Sequence, residues 1–185
     1  MTDNVRHKLP DRSFHWVMAI LTLVLMGTAF LPIFGVQFNW VPIHWISGVL
    51  LIVSVLFHIY RSFFVHGLAE MLPRRKDIRA FFSKDIGQVE KYDLGQKIYH
   101  WSIALIILTL LFTGGLMLAK IDTPFWNRDP AILSDWAWGV TYVLHGVASY
   151  FLIFLFILHV YFSFLPEHRD LLHSMVYGNR KQEKR

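Results

Sequence analysis

The sequence predicts an all-α membrane protein, a four-transmembrane-helix bundle with both termini in the cytoplasm. Hydrophobic residues make up 55% of its 185 residues, above the range of about 45–50% that is usual for soluble domains, and they collect in four long runs. The 18 lysines and arginines concentrate between and beyond these runs. No cysteine is present, which excludes disulfides, thiolate metal sites and covalently attached haem.

Each apolar run is long enough to cross a bilayer as a helix, which takes about 20 residues. Lipid offers no water to unpaired backbone groups, so the runs must be helical. We expect one membrane domain, residues 1–185, with spans at about 15–34, 42–63, 97–119 and 137–164. The first run is too long for a signal-peptide core and lacks a small-residue cleavage site. Pro42 suits the first turn of the second span, and Pro166 marks the end of the fourth.

The positive charges predict the orientation. All but two of the lysines and arginines lie in the two tails or in the connection at about 64–96 and its flanks. The exceptions, Lys120 and Arg128, lie in the connection at about 120–136. Because cytoplasmic segments carry the positive excess, we expect 64–96 and both termini in the cytoplasm of a bacterial inner membrane, and 120–136 in the periplasm. The net charge of +5 therefore reflects topology and lipid contact, and we expect no nucleic-acid partner.

Six of the ten histidines fall within the spans, where ionisable residues are rare and usually functional. They are His15, His44, His58, His100, His145 and His159. The second and fourth spans each carry two of them, separated by a helix rise of about 21 Å but on one face. These two spans run in the same direction, so the first histidine of each lies at an outer level and the second at an inner level. His15 begins the first span and His100 lies one turn into the third, so both are expected at the inner level.

Two histidines at one depth on neighbouring helices can bind a haem iron from both sides. Such ligation leaves no open iron position, which suits electron transfer. A metal ion would usually need carboxylate or thiolate ligands as well, and no Asp or Glu lies within the spans. Spacing alone pairs His44 with His145 at the outer level and His58 with His159 at the inner level.

Four stretches of the chain resemble the dihaem cytochrome b (gamma) subunit of respiratory formate dehydrogenase. They are RSFHW (12–16), PIHWISG (42–48), KYDLGQKIYHWSI (91–103) and LHGVASYFLIFLFILHVYFSF (144–164). The histidine layout is also similar to that of the cytochrome b subunit of membrane nickel–iron hydrogenase. The resemblance implies two haem b groups, with iron bound by His44 and His145 at the outer site and by His15 and His159 at the inner site. His58 is the alternative inner ligand.

The resemblance also implies a cytoplasmic-side site for menaquinone or ubiquinone at Asp93, Gly95 and Gln96. Asp93 and His100 could serve as proton donors, since quinone reduction consumes two protons. Asp93 also suits a helix N-terminus. Three cations are candidate partners for the haem propionates at the inner level, namely Arg12, Arg61 and Lys97. The sequence departs from the family at His58 and His100, where apolar residues are usual, and at Asp93, where Asn is usual.

The predicted function is that of a membrane anchor and electron conduit. Electrons from a periplasmic oxidoreductase would leave its catalytic subunit, pass through its iron–sulfur subunit to the outer haem, and continue through the inner haem to quinone. The chain has no substrate-oxidising centre of its own, and the complex could form a higher oligomer.

Two alternatives remain from the sequence. One is a free-standing dihaem cytochrome b that reduces quinone. The KYDLGQK segment and the 120–136 loop favour a subunit of a complex over this alternative. The other is a His-lined transporter or metal channel. The lack of an inverted repeat and of intramembrane carboxylates argues against it.

Overall fold

A computed structural model describes residues 8–66, 71–83 and 92–178. Within these ranges the chain is helical apart from turns and one isolated β-bridge between Thr123 and Trp126. The α-helices described there are α1 Leu9–Phe30, α2 Trp40–Arg61, α3 Arg75–Ser83, α4 Leu94–Met117, α5 Asp135–Phe164 and α6 Arg169–Tyr177. Parts of the predicted 64–96 loop, residues 67–70 and 84–91, lie outside the described residues.

Four of these helices, α1, α2, α4 and α5, are long and apolar enough to cross a membrane, which confirms the predicted fold class and number of spans. Only 6–11% of each spanning window is buried within the protein. The remaining surface is dominated by exposed Leu, Ile, Val and Phe side chains. A soluble protein does not expose apolar surface on this scale. The chain is therefore a multi-pass membrane protein whose helices face lipid.

Helices α1, α4 and α5 begin before the predicted spans because residues outside the apolar runs extend them, whereas α1 ends at Phe30, before the predicted end at 34. Helix α1 begins at Leu9 with a proline in its first turn, where the missing N–H costs no hydrogen bond. Helix α4 begins at Leu94, because Asp93 caps it. Helix α5 ends at Phe164, just before Pro166, as predicted. The nine-residue helices α3 and α6 were not predicted, because neither is long or apolar enough to stand out by hydropathy.

The chain divides into two compact units, which we call the first and the second unit. The first unit comprises residues 1–54 and 150–185, and the second comprises residues 55–149. The division falls within α2 and within α5. Each unit therefore contains one complete spanning helix, a part of α2, a part of α5 and one nine-residue helix. These are α1 and α6 in the first unit and α4 and α3 in the second.

In the second unit a buried ion pair ties α3 to α4. Lys97 Nζ donates to Asp77 Oδ2 at 2.9 Å, and the two side chains are 0% and 7% exposed. Asp77 also accepts from the Arg74 backbone N–H at 2.7 Å. The hydrogen bond from Lys97 lowers the pKa of Asp77. Just before α3, the Met71 carbonyl accepts from Trp101 Nε1 at 2.9 Å, so the N-terminal part of α4 is tied to the α3 segment at two points.

Replacing Asp77 by Asn should destabilise the protein by about 3–5 kcal/mol, because it leaves the buried Lys97 charge without its anion. Thermal unfolding in detergent measures the loss, and Asp170→Asn, at an exposed carboxylate in the first turn of α6, is the matched control.

The pKa of Asp77 is lowered in the folded state, so the stabilisation that its carboxylate provides is present at neutral pH and is lost as the pH falls through the acid range. Equal unfolding temperatures of the Asp77→Asn and Asp170→Asn proteins at neutral pH would contradict a stabilising role of the Lys97–Asp77 ion pair.

Candidate functional site

The imidazole rings of His15 and His159 lie close together in the first unit. Their ring centroids are 6.2 Å apart and their planes are inclined by 46°. A metal–nitrogen bond of about 2.0–2.1 Å, with about 1.2 Å from that nitrogen to the ring centre, places the centres of two imidazoles that share one iron about 6.4–6.6 Å apart, within a few tenths of an ångström of the observed separation. The separation therefore fits two histidines that share one iron, the arrangement expected for the inner haem.

The turn of α1 that carries His15 is anchored on α6. Arg12 Nε donates to the Met175 carbonyl at 3.2 Å, and another guanidinium nitrogen donates to the Val176 carbonyl. Trp16 Nε1 also donates to the Met175 carbonyl, at 3.4 Å. Carbonyls in the last turn of a helix lack partners within the helix, and a guanidinium satisfies them well. Arg12, predicted as a propionate partner, is thus engaged in a structural contact.

Each histidine predicted at the outer level contacts a threonine on the spanning helix that precedes it in the chain. In the first unit Thr28 Oγ1 lies 2.8 Å from His44 Nδ1. In the second unit Thr113 Oγ1 lies 2.8 Å from His145 Nδ1. The two threonines are 5% and 2% exposed, so both contacts are shielded from the surroundings.

The hydroxyl protons of the two threonines are committed to their own helices. Thr28 donates at 2.8 Å, and Thr113 at 2.7 Å, to the carbonyl four residues earlier. A hydroxyl has one proton, so the imidazole Nδ1–H must be the donor in each Thr–His hydrogen bond. His44 and His145 then carry their lone pair on Nε2, the nitrogen that would bind a metal. Hydropathy did not predict these threonines.

The backbone of α4 approaches His145 closely. A methyl group built on Gly114 would lie 3.3 Å from His145 Cε1. A larger residue at this position would push the ring away from Thr113. The glycine thus supports the orientation of the imidazole that the threonine fixes.

A second pair of neighbouring imidazoles lies in the second unit. The ring centroids of His58 and His100 are 6.2 Å apart, with the planes inclined by 63°. His100 also makes an edge contact with Trp101 at 5.9 Å between centroids. The sequence analysis did not predict this pair, because spacing placed His58 opposite His159, and His100 was considered as a proton donor for the quinone site that the family resemblance implies.

The predicted quinone residues form the N-terminus of α4. Asp93 Oδ1 accepts from the Gln96 backbone N–H at 2.7 Å, and Gln96 Oε1 accepts from the Asp93 backbone N–H at 3.3 Å. This reciprocal capping box confirms Asp93 as a helix N-terminal residue. Gly95 lies in the same turn, where a Cβ would come within 3.3 Å of Asp93 Oδ1. The role of these residues toward quinone stays a prediction.

The other two cation candidates differ in their surroundings. Lys97 is fully buried against Asp77, so its charge is already compensated by a carboxylate. The Arg61 guanidinium lies 5.9 Å from the centroid of the Phe57 ring. The ion pair assigns Lys97 to the support of α3, and Arg61 remains a candidate for a propionate.

The donor set suits haem better than a bare metal ion. Within the described part of the chain, no three or more His, Cys, Asp or Glu side chains come together to hold a metal ion. Zinc usually takes four ligands from the protein or from water, whereas a porphyrin supplies its own equatorial nitrogens and needs only axial ligands. Spanning helices with paired imidazoles and hydroxyl-anchored imidazoles are the donor set expected of a membrane cytochrome of the b type.

The chain belongs to the prokaryotic cytochrome b561 family, whose sequence profile matches residues 6–178. Membership in this family implies haem b as the cofactor and confirms the resemblance to cytochrome b subunits.

Three relatives are cytochrome subunits of formate dehydrogenases. The chain is 24% identical over 182 residues to the formate dehydrogenase cytochrome b556 subunit of Haemophilus influenzae. The aligned region covers 86% of this chain and 70% of the relative. It is 24% identical over 180 residues to the nitrate-inducible formate dehydrogenase cytochrome b556(Fdn) subunit of Escherichia coli K12, covering 86% and 77%. It is also 24% identical over 171 residues to the cytochrome b556(fdo) subunit of the same strain, covering 85% and 77%.

Proposed function

We propose that this chain is the membrane cytochrome subunit of a formate dehydrogenase-like or hydrogenase-like complex, in which it carries electrons from a periplasmic oxidoreductase to quinone. The observation that carries the proposal is the His15–His159 pair, whose 6.2 Å separation fits an iron with two axial imidazoles. The similarity to cytochrome subunits of formate dehydrogenases supports it.

Two pairs of histidines would hold haem in this proposal. His44 and His145 are the ligands of the outer haem, each with Nδ1–H donating to a threonine. His15 and His159 are the ligands of the inner haem. We favour His15 over the alternative His58, because the described ring contact of His159 is with His15. A haem bound in this way supplies a one-electron carrier whose iron has no open position.

The quinone site of the proposal lies at the N-terminus of α4. The exposed carboxylate of Asp93 and the amide of Gln96 are polar groups at the end of an otherwise apolar span. A carboxylate there can pass protons to menaquinone or ubiquinone as it is reduced. His100 contacts His58, so we leave it out of this site and treat it below.

The connection between α4 and α5 is the proposed docking surface for an iron–sulfur subunit. Trp126 Nε1 donates to the Leu118 carbonyl at 3.0 Å, and Trp138 Nε1 donates to the Pro130 carbonyl at 2.8 Å. These bonds hold the connection in place. Phe125, which lies within it, is 80% exposed. Aromatic side chains are enriched where partner proteins bind. In this proposal the connection faces the periplasm, and both termini lie in the cytoplasm of the inner membrane.

Purification with the native partners tests the proposed function. We expect the chain to copurify with an iron–sulfur subunit and a catalytic subunit, to show a reduced b-type absorption band, and to be reduced by the substrate of that catalytic subunit. A haem-loaded chain that reduces quinone fully without partners would instead establish a free-standing cytochrome. A purified chain without a b-type band would favour a His-lined transporter.

Replacing Thr113 by Val should weaken haem binding at the outer site by about 10- to 100-fold, the usual effect of losing a partner that orients a metal-binding histidine. The change keeps the shape of the side chain but removes the acceptor for His145 Nδ1–H. Haem transfer to apomyoglobin measures the affinity. Thr113→Ser should restore it, since a hydroxyl remains.

Thr141→Val is the matched control for this prediction. Thr141 is also buried, at 5% exposure, and its hydroxyl likewise bonds to the carbonyl four residues earlier. The structure describes no bond from this hydroxyl to an imidazole. Equal haem loss in the Thr113→Val and Thr141→Val proteins would show that the hydroxyl does not orient His145.

A further inference from the structure

The two units repeat one set of side chains along the sequence. The corresponding residues are His15 and His100, Trp16 and Trp101, and Thr28 and Thr113, which keep one constant separation in the chain. The ends of α2 and α5 repeat as well, in HIYRSF (58–63) and HVYFSF (159–164). By this correspondence His58 matches His159, and His100 matches His15.

The contacts repeat together with the residues. The cation three residues before the His–Trp pair bonds to the nine-residue helix of its own unit, Arg12 to α6 and Lys97 to α3. The indole N–H of each tryptophan donates to a backbone carbonyl at or just before the same helix, as Trp16 does to Met175 and Trp101 to Met71. The helix turns that carry His15 and His100 are thus each held by a cation and an indole N–H, near the C-terminal end of α6 in the first unit and near the N-terminal end of α3 in the second.

The geometry points to a third haem b, bound by His58 and His100. Their centroid separation is 6.2 Å, the same as that of His15 and His159, and it meets the same requirement for two axial imidazoles on one iron. Both residues belong to the second unit, and both side chains are half-buried. The inference rests on the proposed function only in requiring that the chain is loaded with haem.

Haem explains this pair better than a metal ion does. Around His58 and His100, as elsewhere in the described residues, no third His, Cys, Asp or Glu completes a metal-ion site. Two imidazoles are nevertheless sufficient for haem, which supplies the remaining four nitrogens.

Haem content of the full chain, purified in its complex, tests the inference. The pyridine haemochromogen assay should give three haems per chain for the wild type. It should give two for His58→Ala, two for His100→Ala, and again two for the double variant, because both histidines serve one iron. His168→Ala, at a half-buried histidine before α6, should retain three. The two haems that remain in each single variant show that the variant has folded.

A second variant keeps the test decisive if the alanine variants lose all haem. In His100→Met a thioether replaces one imidazole, and His–Met ligation raises the reduction potential. One of three potentiometric steps should therefore move upward while the other two stay in place.

Three results would overturn the third haem. The first is a wild type with two haems, both retained in His58→Ala. The second is a metal ion, detected by elemental analysis, that disappears in His58→Ala while the haem content does not change. The third is a His100→Met protein with unchanged potentials. Each of these three results is compatible with the proposed two-haem electron conduit. A wild-type chain without haem would contradict both the conduit and the third haem.

Discussion

Replacing His145 by Ala should remove one haem from the chain and reduce donor-driven quinone reduction to background. His145 is the proposed outer ligand whose Nδ1–H is fixed by Thr113 at 2.8 Å, so alanine removes both the iron ligand and the group that the threonine orients. The lost haem should also lower stability. A cofactor present at 1,000 times its dissociation constant contributes about 4 kcal/mol to the folded state.

Haem content, the reduced-minus-oxidised spectrum and turnover with the native donor measure this effect. His44→Ala should lose the same haem, since the two residues are proposed to share one iron, and the double variant should lose no more than either single variant. His168→Ala is the control for the removal of an imidazole. A chain that keeps its full haem content after His145→Ala would refute the outer pairing.

Replacing His15 by Ala should have an equally large but different effect. One haem should be lost and quinone reduction should stop, yet the native donor should still reduce the outer haem, because His44 and His145 are unchanged. His159→Ala should behave in the same way, since the 6.2 Å contact pairs these two rings. Stopped-flow spectra of haem reduction by the donor, recorded beside quinone turnover, separate the two steps.

The comparison with His58→Ala decides the identity of the inner ligand. His58→Ala should leave quinone reduction supported by the His15–His159 haem. Should His58→Ala abolish quinone reduction while His15→Ala preserves it, the assignment that follows from the family resemblance is wrong.

The number of spans and their helical structure could be predicted from sequence because the length of each apolar run decides both. A run such as 97–119 is apolar over the thickness of a bilayer, and lipid admits only helices there. The start of α4 was missed by three residues because a cap depends on hydrogen bonds at Asp93 and Gln96 and not on hydropathy. The nine-residue helix α3 was missed because its place depends on the buried Lys97–Asp77 pair, which joins positions distant in sequence.

For the candidate site, the sequence predicts the membrane depth of each histidine but not its partner. Helix rise assigned each histidine to a level, but several inner histidines share one level, and depth alone does not select partners among them. Partner choice depends on which helices are neighbours, as the contact of His58 with His100 shows. Thr28 and Thr113 gave no signal by composition, since threonine is ordinary in an apolar helix. The repeated spacing from His15 to Thr28 and from His100 to Thr113 was the signal that could have identified them.

The repeat also bears on how the protein is assembled in the cell. Each half of the chain supplies one proposed outer ligand, His44 from the first half and His145 from the second. A cofactor that needs a ligand from each half cannot bind fully until both halves have been synthesised and inserted. Folding and haem supply are then thermodynamically linked, so a cell short of haem would accumulate a less stable chain that is open to proteolysis. Haem availability would in this way limit how much of the cytochrome reaches its oxidoreductase.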